Sequence, residues 1–239
     1  MSMLKPKVTA LILAAGEGKR FSAYPVPKQL VELHGRPVVS YCLDIYQKMD
    51  MVDSIVLIIH DKYDEIFEKL LKGGGYTKVK KVVTGGEYRQ DSIYRGLTAC
   101  GPCDLVAIQN GVTIFTAPEL IASCISKAVV HRAVTAFTQE EYTSFMFSGD
   151  KIDRLIDRSI LGHVRDPQVF DHSLLLSLHE RARKDKKGPF TNDIFLAKEY
   201  GQDVCLVESH PYNFKITTDI DIKLAKTILE LKDFHAPPY

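Results

Sequence analysis

The sequence predicts an α/β chain built on a mostly parallel sheet, and three observations carry that expectation. Short apolar, β-favouring runs alternate with stretches of helical periodicity, the order that right-handed βαβ crossovers require. The helical stretches carry apolar stripes suited to covering a sheet. Two of the strands end in turns of small residues, Ala14-Ala15-Gly16-Glu17-Gly18 and Gly85-Gly86, where backbone can approach a ligand closely.

The elements follow in order. Val8 to Leu13 is a buried strand by its unbroken apolar character. The turn after it brings Lys19, Arg20 and Lys28 to the same end of the sheet, and its N–H groups can converge on an anion. That combination reads as a phosphate cradle or, taken alone, equally as a tight turn with solvated cations. It is neither a Walker A loop, lacking Gly-Lys-Ser/Thr, nor a dinucleotide fingerprint, because Phe21 stands at the third glycine position. Val38 to Met49 is a helix after Pro37, and Ser54 to Ile59 a second strand. Tyr63, Ile66, Phe67, Leu70 and Leu71 form one apolar stripe of a helix over 62–72, stopped by Gly73-Gly74-Gly75.

Lys78 to Val83 is the third strand, and Gly85 to Ser92 leads from it into a helix through Ile93 and Leu97. Ser92 lies near that helix's N-terminus, where anions and polar groups are well received. Leu105 to Gln109 is a fourth strand, and Thr116-Ala117-Pro118-Glu119 reads as a capping box opening a helix to His131. Ala133 to Phe137 is a fifth strand. Tyr142 to Phe147, a turn at Ser148-Gly149-Asp150, and Lys151 to Ile156 predict a two-stranded arm. Asp171 caps a helix carrying Leu174, Leu175, Leu178 and Ala182; residues 183–189 read as a mobile loop. A short helix opens at Thr191-Asn192-Asp193, a strand covers 203–208, and Thr218 caps a terminal helix with Leu224, Ala225, Ile228 and Leu229.

Composition narrows the partners. At 239 residues, 45% apolar and 26% charged, the chain suits one large domain with an appendage. A net charge of +1 gives no pull toward nucleic acid or an anionic membrane. No apolar run reaches the about 18 residues of a transmembrane helix, and residues 1–7 are too short and polar for a signal peptide, which predicts a cytoplasmic protein. Five cysteines form no disulfide pattern, and Cys100-Gly-Pro-Cys103, though spaced like a redox motif, follows a helical pattern without a second pair. They read as reduced structural thiols. The eight histidines form no ligand cluster in sequence, so no protein-held metal is expected.

Strand, AAGEGKRF and 27-PKQ-29 together resemble the nucleotidyltransferases of Rossmann-like fold, whose signature is A-[AG]-G-x-G-x-R-[FM]…P-K. The stretch 85–97 resembles that family's GG-x-x-R-x-x-S-[VI]-x-x-G-L, and 213–218 its N-x-K-[IV]-T-[TS]. The resemblance covers nearly the whole chain and is to the cytidylyltransferases of 2-C-methyl-D-erythritol 4-phosphate and ribitol 5-phosphate. It implies a three-layer αβα fold, a single domain over 1–239 and an arm at about 138–165 that reaches across a homodimer. It implies transfer of CMP from CTP to a polyol phosphate, with Mg²⁺ held mainly by the CTP phosphates. Carried over to this chain, the nucleotide would meet Ala14, Ala15, Gly16, Glu17, Gly18, Gly85, Gly86, Ser92, Asn110 and Gly111. Arg20, Lys28 and Lys215 would be catalytic, and Arg158, Thr138 and Asp166 would face the acceptor. On residues alone Lys215 reads also as a snorkelling strand-end lysine, and Arg158 as a surface arginine.

Three stretches depart from the family pattern. His-Asp-Ala-[AV]-Arg-Pro-Phe appears as Gln109-Asn110-Gly111-Val112-Thr113-Ile114-Phe115, so its carboxylate and arginine are both missing. Pro-[VL]-x-[DE]-[ST] appears as Thr135 to Gln139, and Asp166 stands where a hydroxyl residue is usual before Pro-Gln-x-Phe. Retained cations with altered acceptor walls point first to the same chemistry on another phosphorylated acceptor, then to the two known acceptors. An inactive nucleotide-binding relative, acting as a partner or regulator, ranks last.

Overall fold

The computed structural model describes residues 5–17 and 24–231. In chain order the regular elements are β1 (Val8–Ala14), β2 (Glu32–Leu33), β3 (Arg36–Pro37), α1 (Val38–Lys48), β4 (Ser54–Ile59), α2 (Asp64–Gly74), β5 (Val79–Thr84) and α3 (Arg89–Ala99). There follow β6 (Leu105–Asn110), α4 (Pro118–His131), β7 (Ala133–Gln139), β8 (Ser144–Ser148), β9 (Lys151–Ile156), β10 (Gly162–Asp171), α5 (His172–Lys184), α6 (Asp193–Glu199), β11 (Cys205–Glu208) and α7 (Asp219–Glu230).

Seven strands form the central sheet in the order β11-β7-β10-β6-β1-β4-β5. Pairings β1 with β4, β1 with β6, β4 with β5 and β7 with β11 are parallel. In this sheet, among the described residues, β10 alone runs antiparallel, between β6 and β7. Strand residues alternate between two apolar cores. Ala10, Ile12, Leu57 and Ala107 pack under α1, α2 and α4; Leu11, Ile58, Val106 and Ile108 pack under α3, α5 and α6. That is the three-layer αβα arrangement, with period-2 strands buried on both faces. A third core joins α7, through Ile222 and Ala225, to Val31, Leu33 and Val38 near the short β2–β3 hairpin.

Several expectations are corrected. Sequence reading missed β10 as a strand of 10 residues, because Arg165, Asp166 and Pro167 interrupt its pattern. Its pairing with β7 shifts there, from Arg165↔Ala136 to Gln168↔Thr135, so Asp166-Pro167 is extra chain bulged toward the end of β6. Thr116 does not cap α4: Pro118 opens that helix after Ala117, and the Thr116 hydroxyl serves Gln109 and Asn213 instead. The helix over 62–72 begins as a 3-10 turn and continues to Gly74, where Gly75, at φ +66°, supplies the left-handed stop. The arm is a separate two-stranded sheet, β8 against β9, with Tyr142, Phe147, Leu155 and Ile160 strongly exposed. Among the described residues no helix is long and apolar enough to cross a membrane.

Candidate active site

The order of the sheet reverses at β1: β4 lies on one side and β6 on the other, and in open α/β sheets such a switch point opens a crevice at the carboxyl ends of the strands. A cavity of about 550 Å³ lies there. Ala15, Gly16 and Glu17 after β1 form one wall; Gly86, Arg89 and Ser92 entering α3 form another; Asn110, ending β6, and Lys215 close the far side. Lys28, on a 3-10 turn, also faces it.

Local chemistry fixes these walls. The buried Gln29 amide donates to the carbonyls of Ala14 at 2.8 Å and Gly16 at 2.9 Å, pinning the first loop from beneath. Gly85 N–H donates to Ile59 O at 2.7 Å, continuing from the end of β4. A Cβ on Gly85 would stand 2.4 Å from the Ala15 Cβ, so the two loops meet at van der Waals distance only because the residue is glycine. Ser92 Oγ accepts the Gly86 N–H at 3.0 Å and donates to Tyr88 O at 3.2 Å, which shapes the second loop.

A second cavity of about 210 Å³ adjoins the first. Arg89, Asn110 and Lys215 line both, and Thr113, Arg165, Asp166 and Gln168 line the second alone. Two of the three departing stretches, 109–115 and the one at Asp166, meet here as one unit. Asp166 accepts Asn110 Nδ2 at 2.8 and 3.0 Å, Asn110 N–H at 3.2 Å and Thr113 Oγ1–H at 2.6 Å. The carboxylate missing from position 110 is thus supplied across the sheet from β10, and Thr113 hydrogen-bonds to it in place of the arginine.

Arg89 is held from behind. Its Nη1 lies 2.6 Å from Asp193, which also accepts His179 Nε2–H at 3.0 Å, and Asp193 and His179 are fully buried. Burial alone would raise the Asp193 pKa; Arg89 and the His179 hydrogen bond outweigh it and hold it down to about 2. A depressed carboxyl stabilises the fold above its unfolded value near 4, and that contribution is lost as pH falls through about 2. In Asp193→Asn, chemical denaturation at pH 7 should show a loss of about 2 kcal/mol that shrinks between about pH 4 and 2. An equal deficit at every pH would sink the ion-pair account.

The sequence-predicted residues are distributed unevenly. Ala15, Gly16, Glu17, Lys28, Gly86, Ser92, Asn110 and Lys215 come together around the larger cavity. Gly18 and Arg20 lie outside the described residues. Ala14, Gly85 and Gly111 do not line it: Ala14 is core, Gly85 is the loop contact, and Gly111 donates its N–H to Leu13 O at 2.8 Å. Thr138 is buried and lines neither cavity; its Oγ1 accepts Arg165 Nε–H at 3.1 Å. Arg158 sits on a turn after β9, donates to Glu141 O at 2.7 Å, and lines neither cavity of its own chain. Asp166 reaches the second cavity, but its oxygens are engaged by Asn110 and Thr113. Gln29, Arg89, Arg165 and Asn213 also belong to the site. Gln29, Arg89 and Asn213 stand inside the matched motifs, whereas Arg165 had no local signal.

The family model described as IspD, 2-C-methyl-D-erythritol 4-phosphate cytidylyltransferase, matches residues 8–231. The enzyme of that name from Shouchella clausii is 32% identical over 226 residues, 94% of this chain and 97% of the relative. That from Geobacillus kaustophilus is 33% identical over 220 residues, 92% and 96% of the two chains. A crystal structure of 4-diphosphocytidyl-2C-methyl-D-erythritolsynthase from Anaerococcus prevotii superposes with TM-score 0.83 at 27% identity, covering 94% of this chain and 99% of the other. A Thermus thermophilus structure, at 23% identity and TM-score 0.73, covers 92% and 97% and shares the fold.

Proposed function

The chain belongs to the 2-C-methyl-D-erythritol 4-phosphate cytidylyltransferase family, and from that membership we infer that the larger cavity takes CTP, the smaller takes methylerythritol phosphate, and Lys215 stands between them. The protein is a cytidylyltransferase that moves CMP from CTP to a polyol phosphate and releases pyrophosphate. The observation that carries the assignment of the two lobes is the shared wall: Arg89, Asn110 and Lys215 face both cavities, where an attacking phosphate and the α-phosphorus would meet.

A phosphate monoester, with a second pKa near 6, is already largely a dianion at pH 7 and needs no general base. Catalysis then reduces to in-line positioning and to neutralising charge. Lys28 serves the triphosphate, joined by Arg20; Lys215 serves the α-phosphate and the incoming oxygen. Arg165, braced by Thr138, offers a fork of donors to the acceptor phosphate. Gln168 Oε1, a buried acceptor without a partner among the described residues, suits a polyol hydroxyl.

Mg²⁺ accompanies the CTP phosphates. The carboxylates on the larger cavity are Glu17, 3.3 Å from His60, and Glu87, and Asp166 is committed to Asn110 and Thr113. That donor set fits an ion held mainly by phosphate and water, with Glu17 and Glu87 as its protein neighbours, and the ion would shield charge on the leaving pyrophosphate. The exposed apolar side chains of β8 and β9 suit a homodimer arm that carries Arg158 toward the partner, and free thiols suit a reducing cytoplasm.

Pyrophosphate release from CTP with Mg²⁺ tests the reading. Methylerythritol 4-phosphate should be the best acceptor, and Arg165→Ala should raise its KM at least about tenfold while leaving the KM for CTP nearly unchanged. The Asn110–Asp166–Thr113 cluster favours, as a second reading, a different phosphorylated polyol; a faster reaction with ribitol 5-phosphate would select it.

A further inference from the structure

Far from this crevice, three ligand-type side chains converge. The strands β1 and β6 run in parallel from Val8 and Leu105, so Cys103 lies at their amino-terminal edge, while the cavity lies at their carboxyl ends. Helix α3 starts at the cavity with Arg89 and runs back to that edge, where Cys100 follows its last turn. Helix α5 begins there too: His172 is its first residue, and its N–H donates to Asp104 O at 2.9 Å. One ligand atom from each of Cys100, Cys103 and His172 lies within 4.8 Å of the others, and all three residues are half-buried.

We propose that Cys100, Cys103 and His172 form a binding site for a thiophilic divalent ion, zinc foremost, that joins the end of α3 to the start of α5. The donor chemistry selects the ion. Two sulfurs and one imidazole suit zinc and disfavour magnesium or calcium, which require oxygen. The two carboxylates adjacent in sequence have other partners: Asp104 Oδ2 accepts the Lys7 N–H at 2.7 Å, and Asp171 Oδ1 accepts the Leu174 N–H at 2.8 Å. The histidine keeps one ring nitrogen for a ligand. His172 Nε2 lies 3.1 Å from Leu97 O, and a carbonyl can only accept, so the proton is on Nε2 and Nδ1 keeps its lone pair. A ring N–H tied to a backbone carbonyl is the usual support of a metal-bound histidine. Ligand atoms within 4.8 Å of one another stand about 1 Å or less beyond the about 3.8 Å sulfur separation that 2.3 Å zinc–sulfur bonds require. Three protein ligands leave water in the fourth position.

The test uses the full chain, reduced and stripped with a chelator. Co²⁺ should bind one equivalent and produce a thiolate-to-cobalt charge-transfer band, which Zn²⁺ then abolishes. In competition with a chromophoric chelator, Cys103→Ser and His172→Asn should each weaken Zn²⁺ binding more than about 100-fold, beyond the range seen for loss of an outer-sphere partner. Cys205→Ser, outside the cluster, should bind as the parent does. Because the cobalt spectrum is read on the unmutated protein, it stands even where a variant folds poorly. Absence of the band there, or its persistence in Cys103→Ser, overturns the proposal. So does a chain whose Cys100 and Cys103 cycle to a disulfide while the reduced form binds neither ion.

Discussion

Replacing Lys215 by alanine should lower kcat about 10²–10³-fold, the usual effect of losing one preorganised charge contact at a reacting centre. The lysine is clamped on both sides by its neighbours. Two residues before it, buried Asn213 donates to Asp166 O at 2.6 Å and Ser209 Oγ at 3.0 Å, and its Oδ1 accepts from Thr116. Just after it, fully buried Ile216 donates its N–H to Val112 O at 3.1 Å, and Asp221 collects the N–H groups of Thr217 and Thr218 at 2.8 and 2.7 Å. The backbone is therefore fixed while the side chain reaches the wall common to both cavities. Folding should survive the substitution, since Lys215 is itself exposed. Single-turnover kinetics with saturating CTP and acceptor separate the chemical step from binding. A rate within tenfold of the parent, or an equal loss explained by a lower melting temperature, would remove Lys215 from its assigned role. Lys215→Arg should recover part of the rate, because charge is kept but a planar fork replaces a point charge.

The second large effect is expected at Asn110. Asn110→Asp restores the residue usual in the family, yet it should destabilise this chain by about 2–4 kcal/mol. The Asn110 amide donates to both oxygens of Asp166 at 2.8 and 3.0 Å, so the new carboxylate would lose those bonds and face a like charge in a buried setting. Asp166→Thr alone replaces the two carboxylate oxygens that serve Asn110 and Thr113 by one neutral hydroxyl and should be damaging too. The double variant, with the carboxylate moved back to β6, should be better than the sum of the two changes by about 1–3 kcal/mol. Urea unfolding of the four proteins completes the cycle. Additive losses would show that the exchange of residues across β6 and β10 is coincidental rather than coupled.

Legibility in the sequence followed the range of the forces involved. Val8–Ala14, Ser54–Ile59 and Leu105–Asn110 were plain because burial on both faces leaves a continuous apolar run. Caps at Asp171 and Thr218 were legible because the acceptor lies three residues from its donor. The cap at Thr116 failed for the converse reason: Gln109 and Asn213, distant in sequence, claim its hydroxyl. Strand β10 was hidden by its own bulge, which places Asp166 where no periodicity predicts it. At the site, glycine turns and motif lysines were visible as local patterns. The partnership of Asn110, Thr113 and Asp166, and that of Arg89, Asp193 and His179, join residues 14 to 104 positions apart, and no local pattern records them.

The position of β10 has a consequence for the integrity of the chain. It lies between β6 and β7, although the arm, with its turn at Gly149, separates it from both in sequence. The polypeptide before Gly149 holds Lys28, Ser92 and Asn110; the polypeptide after it holds Arg165, Asp166 and Lys215. The two halves are interleaved: one inserts β10 into the other's sheet and flanks β7 with β11 on the far side. Neither half contains both cavities, yet a single break at the arm tip would leave every wall of both in place. Covalent continuity at Gly149 is dispensable to the site in a way that the hydrogen bonds of β10 are not.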